Sequence, residues 1–215
     1  MLPIYNAQAY ISDCLDSILA QSYIDWTAYC VDDGSCDGTA SILDEYAKRD
    51  ARIKVFHIEN TGASNARNYA IDRIENEKWI SFVDADDYIG PQMYERIITA
   101  IGEDDIDYVR LYSIQTLQRY DKTIFVTDSA KEVICKTVSR EDYFLNENVG
   151  GYTHSLFIKA EIVRDNNIRF CKDMKMLEDQ AFSITCATYA NKILMLEQPR
   201  NYFYYKGNIS SITIS

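Results

Sequence analysis

Apolar positions along the first half of the chain alternate between helical and strand spacing. "AYISDCLDSILAQ" sets Ile11, Leu15, Ile18 and Leu19 on one helical face, and "WTAYCVDD" follows as a β-rich run. "TASILDEYAKRD" repeats the helical spacing through Ile42, Leu43 and Tyr46, and "RIKVFHIE" is a second strand. A third helix is predicted over about residues 64–75, then the strand "KWISFVD" and a fourth helix begun by Pro91, a favoured first helical residue. Strands alternating with helices of this length predict an α/β fold with a mostly parallel sheet covered on both faces. The second half is less regular. "IDYVRLYSIQ", "KTIFVTD", "KILMLEQP" and "NYFYYK" read as strands, "SREDYFLNEN" as a capped helix and "EDQAFSITCATYAN" as another helix. With no repeat or linker, one domain with a smaller sheet-edge elaboration is the economical reading.

Ligands of open parallel sheets sit beyond the carboxyl ends of the strands. Two acidic pairs fall there: Asp32 and Asp33 close one strand, Asp84 and Asp86 another. In an extended segment Asp84 and Asp86 share a face, roughly 7 Å apart, and Asp87 points away unless the chain has already turned. Like charges this close repel and are costly to desolvate, so the turn asks for a cation, a basic side chain or water. A hard divalent ion such as Mn2+ or Mg2+ takes one or two carboxylates and fills its shell with water and phosphate oxygens. A solvated acidic turn is the ordinary alternative.

Composition narrows the partners. The 215 residues carry a formal net charge of -11, which argues against an extended nucleic-acid surface, since that binding relies on clustered Lys and Arg. Six scattered cysteines show no metal or disulfide spacing, and reduced thiols with a cytoplasmic location are the plain reading. No apolar run approaches the ~20 residues that span a bilayer.

In order, "LPIYN", "VDDGSCDGT", "NTGASNARNYAI", "FVDADD" and "MLEDQAF" resemble the family 2 glycosyltransferases of the GT-A fold, from the first residues to about Phe182, with weaker echoes in "YFYYKGNISSIT". The resemblance implies a Rossmann-like sheet flanked by helices, with a nucleotide-sugar-binding half over 1–105 and an acceptor-binding and catalytic-base half over 106–215 of the same domain. It implies an inverting, metal-dependent hexosyl- or N-acetylhexosaminyltransferase that uses a UDP- or GDP-sugar, UDP first, in polysaccharide or glycolipid synthesis. The acceptor would be a carbohydrate or lipid-linked oligosaccharide, at the cytosolic face of a membrane.

Carried over by position, Pro3 and Tyr5 line the nucleotide cleft, with Asn6 a helix cap. Asp33, or Asp32 close behind, accepts hydrogen bonds from the base, while one of the two caps the next helix together with Ser35. Gly62 permits a tight turn into a helix whose N–H groups favour anions, and Arg67, one turn in, reaches a phosphate or the base. Asp84 matches the group near ribose and metal, and Asp86 the main metal ligand. Asp87 would be a supporting or capping residue. Asp179 is the candidate base, with Glu178 beside it to orient the acceptor; acidic first-turn residues also arise from the helix dipole alone.

His57 reads as structural and His154 lies in the region of the acceptor wall. Trp26 and Trp79 read as packing. Lys206 either meets the diphosphate or is solvated. The first strand looks shorter than is usual in the family, and the chain stops soon after the aromatic strand, so truncation at both ends is expected. A non-catalytic nucleotide-sugar binder is the alternative. A receiver domain has no place for "NTGASNARN", an Asp-x-Asp-x-Thr phosphatase needs another residue at Tyr88, and dinucleotide binding needs a GxGxxG that "LPIYNAQ" lacks.

Overall fold

The computed structural model describes residues 1–121, 123, 133–146, 149, 152–174, 176–198 and 201–208. Strands β1 (Leu2–Ile4), β2 (Ala28–Asp33) and β3 (Ile53–Ile58) alternate with helices α1 (Ile11–Leu19), α2 (Thr39–Arg49) and α3 (Ala63–Ile71). Then come β4 (Trp79–Ser81), β5 (Tyr88–Ile89), α4 (Met93–Ile101), β6 (Tyr108–Leu111), β7 (Ser113–Thr116), β8 (Ile134–Ser139) and α5 (Arg140–Asn146). The chain continues through β9 (Leu156–Lys159), α6 (Ala160–Asp165), α7 (Glu178–Tyr189), β10 (Lys192–Gln198) and β11 (Tyr202–Tyr205).

β2 lies between β1 and β3, all parallel, and its six residues are buried, as a central strand covered on both faces should be. A second sheet runs β4-β9-β6-β10-β8, with β6 and β10 parallel but β9 and β8 opposed to their neighbours. Bonds at Met1 join the sheets: the Val83 N–H donates to the Met1 carbonyl at 3.1 Å and the Met1 amine to the Ser81 carbonyl at 2.8 Å. A small third sheet, β5-β11-β7, is the mixed elaboration on the edge.

The helical spacing read in the first half is realised in packing. Ile11, Cys14, Leu15 and Ile18 of α1 and Leu43 and Tyr46 of α2 are buried in a core shared with Val109 of β6 and Leu194 and Leu196 of β10, each large apolar side chain contributing about 1.5–3 kcal/mol. A second core gathers Phe82, Tyr108, Ile158, Phe170 and Phe182, in which the Phe170 and Phe182 rings stack at 4.0 Å. Trp79 stacks on Phe157 at 5.0 Å, and the Arg52 guanidinium covers Trp26 at 3.9 Å, so both tryptophans do pack.

Several expectations shift. The run 106–115 is two strands, because the chain leaves one sheet and joins another around Tyr112. The fourth helix starts at Met93 rather than Pro91, since the Met93 N–H first closes a turn onto the Gly90 carbonyl. The helix expected over 64–75 ends at Ile71. β8, β9 and α6 are additional to the predicted elements. The strand expected in "KTIFVTD" lies outside the described residues, Thr123 apart. Among the described residues no helix is long and apolar enough to cross a membrane.

A cavity of about 470 Å3 opens at the amino ends of β2 and β4, lined by Trp26, Tyr29, Trp79, Tyr94 and Phe157 among others. It is at the far end of the strands from the acidic pairs, which direct attention to the carboxyl ends.

Candidate active site

At the end of β2 both carboxylates face inward. Asp33 accepts the Thr61 and Gly62 N–H groups, each at 2.8 Å, and so ties β2 to the entrance of α3. Gly62 has φ 93°, a left-handed conformation that a side chain would strain. Gly34, at φ 73°, also lacks room: a Cβ there would come within 2.8 Å of the Asn60 nitrogen. Asp32 accepts the Ser35 N–H at 3.1 Å and meets His57 Nδ1 at 2.8 Å, and His57 Nε2 reaches Asp44 at 3.2 Å. The bond from Asp32 raises the His57 pKa above its ordinary value, with burial opposing and Asp44 helping.

The loop after β1 forms the neighbouring wall. Pro3 is held in β1 opposite Val31, and Tyr5 is exposed. Asn6 does not cap α1, whose cap position is Tyr10. It adopts φ 47°, which Asn tolerates better than most residues, and its side chain accepts the Cys36 N–H at 2.8 Å, lacing this loop to the one after β2.

The sheet hydrogen bonding of β4 ends at Ser81, and the chain turns over Asp84–Asp87, closed by an Asp87 N–H bond to the Asp84 carbonyl at 3.0 Å. The extended geometry that sets Asp84 and Asp86 on one face therefore does not apply, and Asp87 swings inward. Asp87 is buried and accepts the Tyr202 hydroxyl at 2.7 Å and the Tyr205 N–H at 2.9 Å. Tyr202 in turn accepts the Asp84 N–H at 3.1 Å. Burial first, then the charges of Asp84 and Asp86, push the Asp87 carboxyl upward. Asp86 accepts the Asn208 amide at 2.8 Å, and burial, reinforced by Asp84, raises its pKa against that bond.

Arg67 of α3 links the two sides. It is 7% exposed. Its Nη2 donates to Asp84 Oδ1 at 3.1 Å, Nη1 lies 3.6 Å from Glu178 Oε1, and Nε and Nη1 are buried without a hydrogen-bond acceptor among the described residues. Its neighbour Asn68 clamps the backbone of Phe170 from both sides, donating at 2.9 Å and accepting at 2.8 Å. Glu178 and Asp179 open α7 directly after Leu177, whose φ of 64° is unusual for a bulky residue. Asp179 accepts the Gln180 N–H at 2.8 Å; burial raises its pKa, and the charge of Glu178 adds to the effect.

Residues 1–165 match the model described as glycosyl transferase family 2. The chain belongs to that family. It is 30% identical over 217 residues to the glycosyltransferase EpsJ of Bacillus subtilis (strain 168), covering 99% of this chain and 62% of EpsJ. It is 31% identical over 219 residues to the poly(ribitol-phosphate) beta-glucosyltransferase of Bacillus spizizenii, covering 100% of this chain and 33% of that protein. The crystal structure of S. aureus TarS 1-349 in complex with UDP-GlcNAc superposes with a TM-score of 0.80 at 26% identity, over 95% of this chain and 57% of that one. The GT-A architecture is thereby shared, and the chain spans about three fifths of curated relatives such as EpsJ.

Within this family 2 fold, the structure brings His154, Tyr202 and Asn208 to the acidic turn, Tyr202 and Asn208 standing outside the acidic motifs of the sequence. His154 is 5% exposed, with Nδ1 3.9 Å from Asp84 Oδ2. Burial above all lowers its pKa to about 4, with Arg110 and Arg67 acting in the same direction against Asp84, so the ring is neutral. It stacks between Tyr152 at 5.2 Å and Tyr202 at 4.6 Å. Lys206 is exposed, its ammonium 4.9 Å from the Tyr204 ring.

The turn fits a divalent cation. Three carboxyls converge there, and among the described residues only Arg67 brings a full positive charge to one of them, Asp84. Asp84, Asp87 and His154 each offer a ligand atom within 4.8 Å of the others. Asp86 is not one of that trio, and its Oδ2 accepts the Asn208 amide at 2.8 Å.

Proposed function

We propose that the protein transfers a sugar from a nucleotide-diphosphate sugar, a UDP-sugar in the first instance, to an acceptor hydroxyl with inversion. The observation that carries this reading is Arg67, bonded to Asp84 and 3.6 Å from Glu178, with buried donors to spare beside the candidate base. A guanidinium with unfilled buried N–H groups is matched to a phosphate. The TarS complexes with UDP and with UDP-GlcNAc support the uridine donor, and the poly(ribitol-phosphate) glucosyltransferase supports a polymeric acceptor in cell-envelope polysaccharide synthesis.

In this reading Asp179 accepts the proton of the acceptor hydroxyl while its oxygen bonds to the anomeric carbon. The bond from that carbon to the diphosphate breaks on the opposite face, and Arg67 receives the negative charge released. Glu178 orients the acceptor. A raised pKa brings Asp179 nearer to the operating pH that suits a general base. Asp86 and Asp84 would hold Mn2+ or Mg2+, which when bound supplies positive charge against the departing diphosphate. Pro3, Tyr5, Asp32 and Asp33 form the wall for the nucleoside, residues 1–105 serving the donor and 106–215 the acceptor.

The test is release of UDP from UDP-sugars in the presence of Mn2+. The wild type should release UDP slowly even without acceptor, and Asp179→Asn should bind the donor but release none. Donor binding with no release by the wild type would leave a nucleotide-sugar binder in place of an enzyme.

A further inference from the structure

We infer that Asn208 is a positioning residue for the cation site, fixing the Asp86 carboxylate, so that the segment after β11, within the acceptor-side half, also serves the donor. The inference rests on the reading of Asp86 and Asp84 as cation ligands.

Besides the Arg67 bond to Asp84, the turn at 84–87 is held from β11. Tyr202 accepts the Asp84 N–H and donates to Asp87, and the Tyr205 N–H also bonds Asp87. Those contacts come from β11 itself. Asp86 is reached instead by Asn208, whose Nδ2 donates to Oδ2 at 2.8 Å across 122 residues of sequence. The approach is anchored, because the Lys206 N–H bonds the Thr116 carbonyl at 2.8 Å and so carries the pairing of β11 with β7 one step further.

The chemistry of the donor matters as much as its place. An amide is neutral: it fixes one carboxylate oxygen and leaves the full negative charge, with the other oxygen, for a cation. Lysine or arginine in the same place would cancel that charge. Hydrogen-bond partners behind a ligating carboxylate set its orientation, and their removal typically costs about 10–100-fold in metal affinity.

The experiment is a titration of Mn2+ alone into the whole chain, with free ion followed by electron paramagnetic resonance, for wild type, Asn208→Ala and Asn208→Asp. The Ala variant should bind Mn2+ about 10–100-fold more weakly, with its metal-free thermal midpoint unchanged. The Asp variant, of equal size but with a repelling charge where the donor stood, should also bind more weakly. Unchanged affinity in the Ala variant would overturn the assignment. So would tighter binding by the Asp variant, which would make position 208 a direct ligand, or a lowered metal-free midpoint that accounts for the loss. Failure of the wild type to bind Mn2+ would sink the cation reading itself, an outcome distinct from equal binding by wild type and Ala.

Discussion

The hydroxyl of Tyr202 donates to Asp87 Oδ2 at 2.7 Å, and both side chains are buried. Tyr202→Phe would leave the ring but take the donor from Asp87 Oδ2 and the acceptor from the Asp84 N–H, while the Tyr205 N–H still serves Oδ1, so the cost is that of losing buried hydrogen-bond partners, about 1–3 kcal/mol. Urea unfolding at neutral pH should show a lower midpoint with an unchanged slope.

Arg67→Lys keeps the charge but loses the planar fork that spans Asp84 and Glu178. Losing one or two charge-assisted bonds, about 1.5–3 kcal/mol, should lower kcat/KM for the donor about 10–100-fold. Steady-state kinetics with varied UDP-sugar would measure it, and values equal to wild type would remove Arg67 from the donor site.

The pKa of Asp179 is raised, first by burial and further by the Glu178 charge. A base must be ionised to act, so kcat/KM should fall as pH drops, with its acid limb above the ordinary carboxylate value. Glu178→Gln removes one raising charge and should move that limb to lower pH. A pH profile of both proteins at saturating metal decides it, and a limb unmoved by the substitution would detach Glu178 from the base.

His57 has a raised pKa in the folded chain, chiefly through Asp32. Its charge–charge contribution is therefore fully present below the unfolded value, about 6.5, and is lost as pH rises through the higher folded value. The loss of thermal midpoint in His57→Gln should be larger at pH 6 than at pH 8.5. The ring is 43% exposed, so solvent screening keeps the effect small. A midpoint difference that grows with pH would reverse the argument.

The first half of the fold was legible because its helices and strands bury clean apolar faces, as in α1 and β2. β8 was not, because its residues Ile134–Lys136 and Thr137 are exposed at a sheet edge and carry no alternation to read. β9 and α6 run together in "LFIKAEIVRD", where no Gly or Pro marks the change from strand to helix. In the site, the acidic motifs and Arg67 stood out as separate short patterns. Their meeting did not, nor did the bonds of Tyr202 and Asn208 to the turn, since those pairings span more than a hundred residues and depend on β11 docking between β5 and β7. Asp87 could be read either way until the turn fixed its direction.

Neighbouring positions of α3 perform two separate grips: Arg67 holds Asp84, and Asn68 holds the backbone of Phe170, eight residues ahead of Glu178. Any tilt of that helix would displace both contacts together. One short helix thereby sets the spacing between the turn at Asp84 and the chain ahead of Glu178, and a lengthening or rotation of it by a single residue would put the two grips out of step.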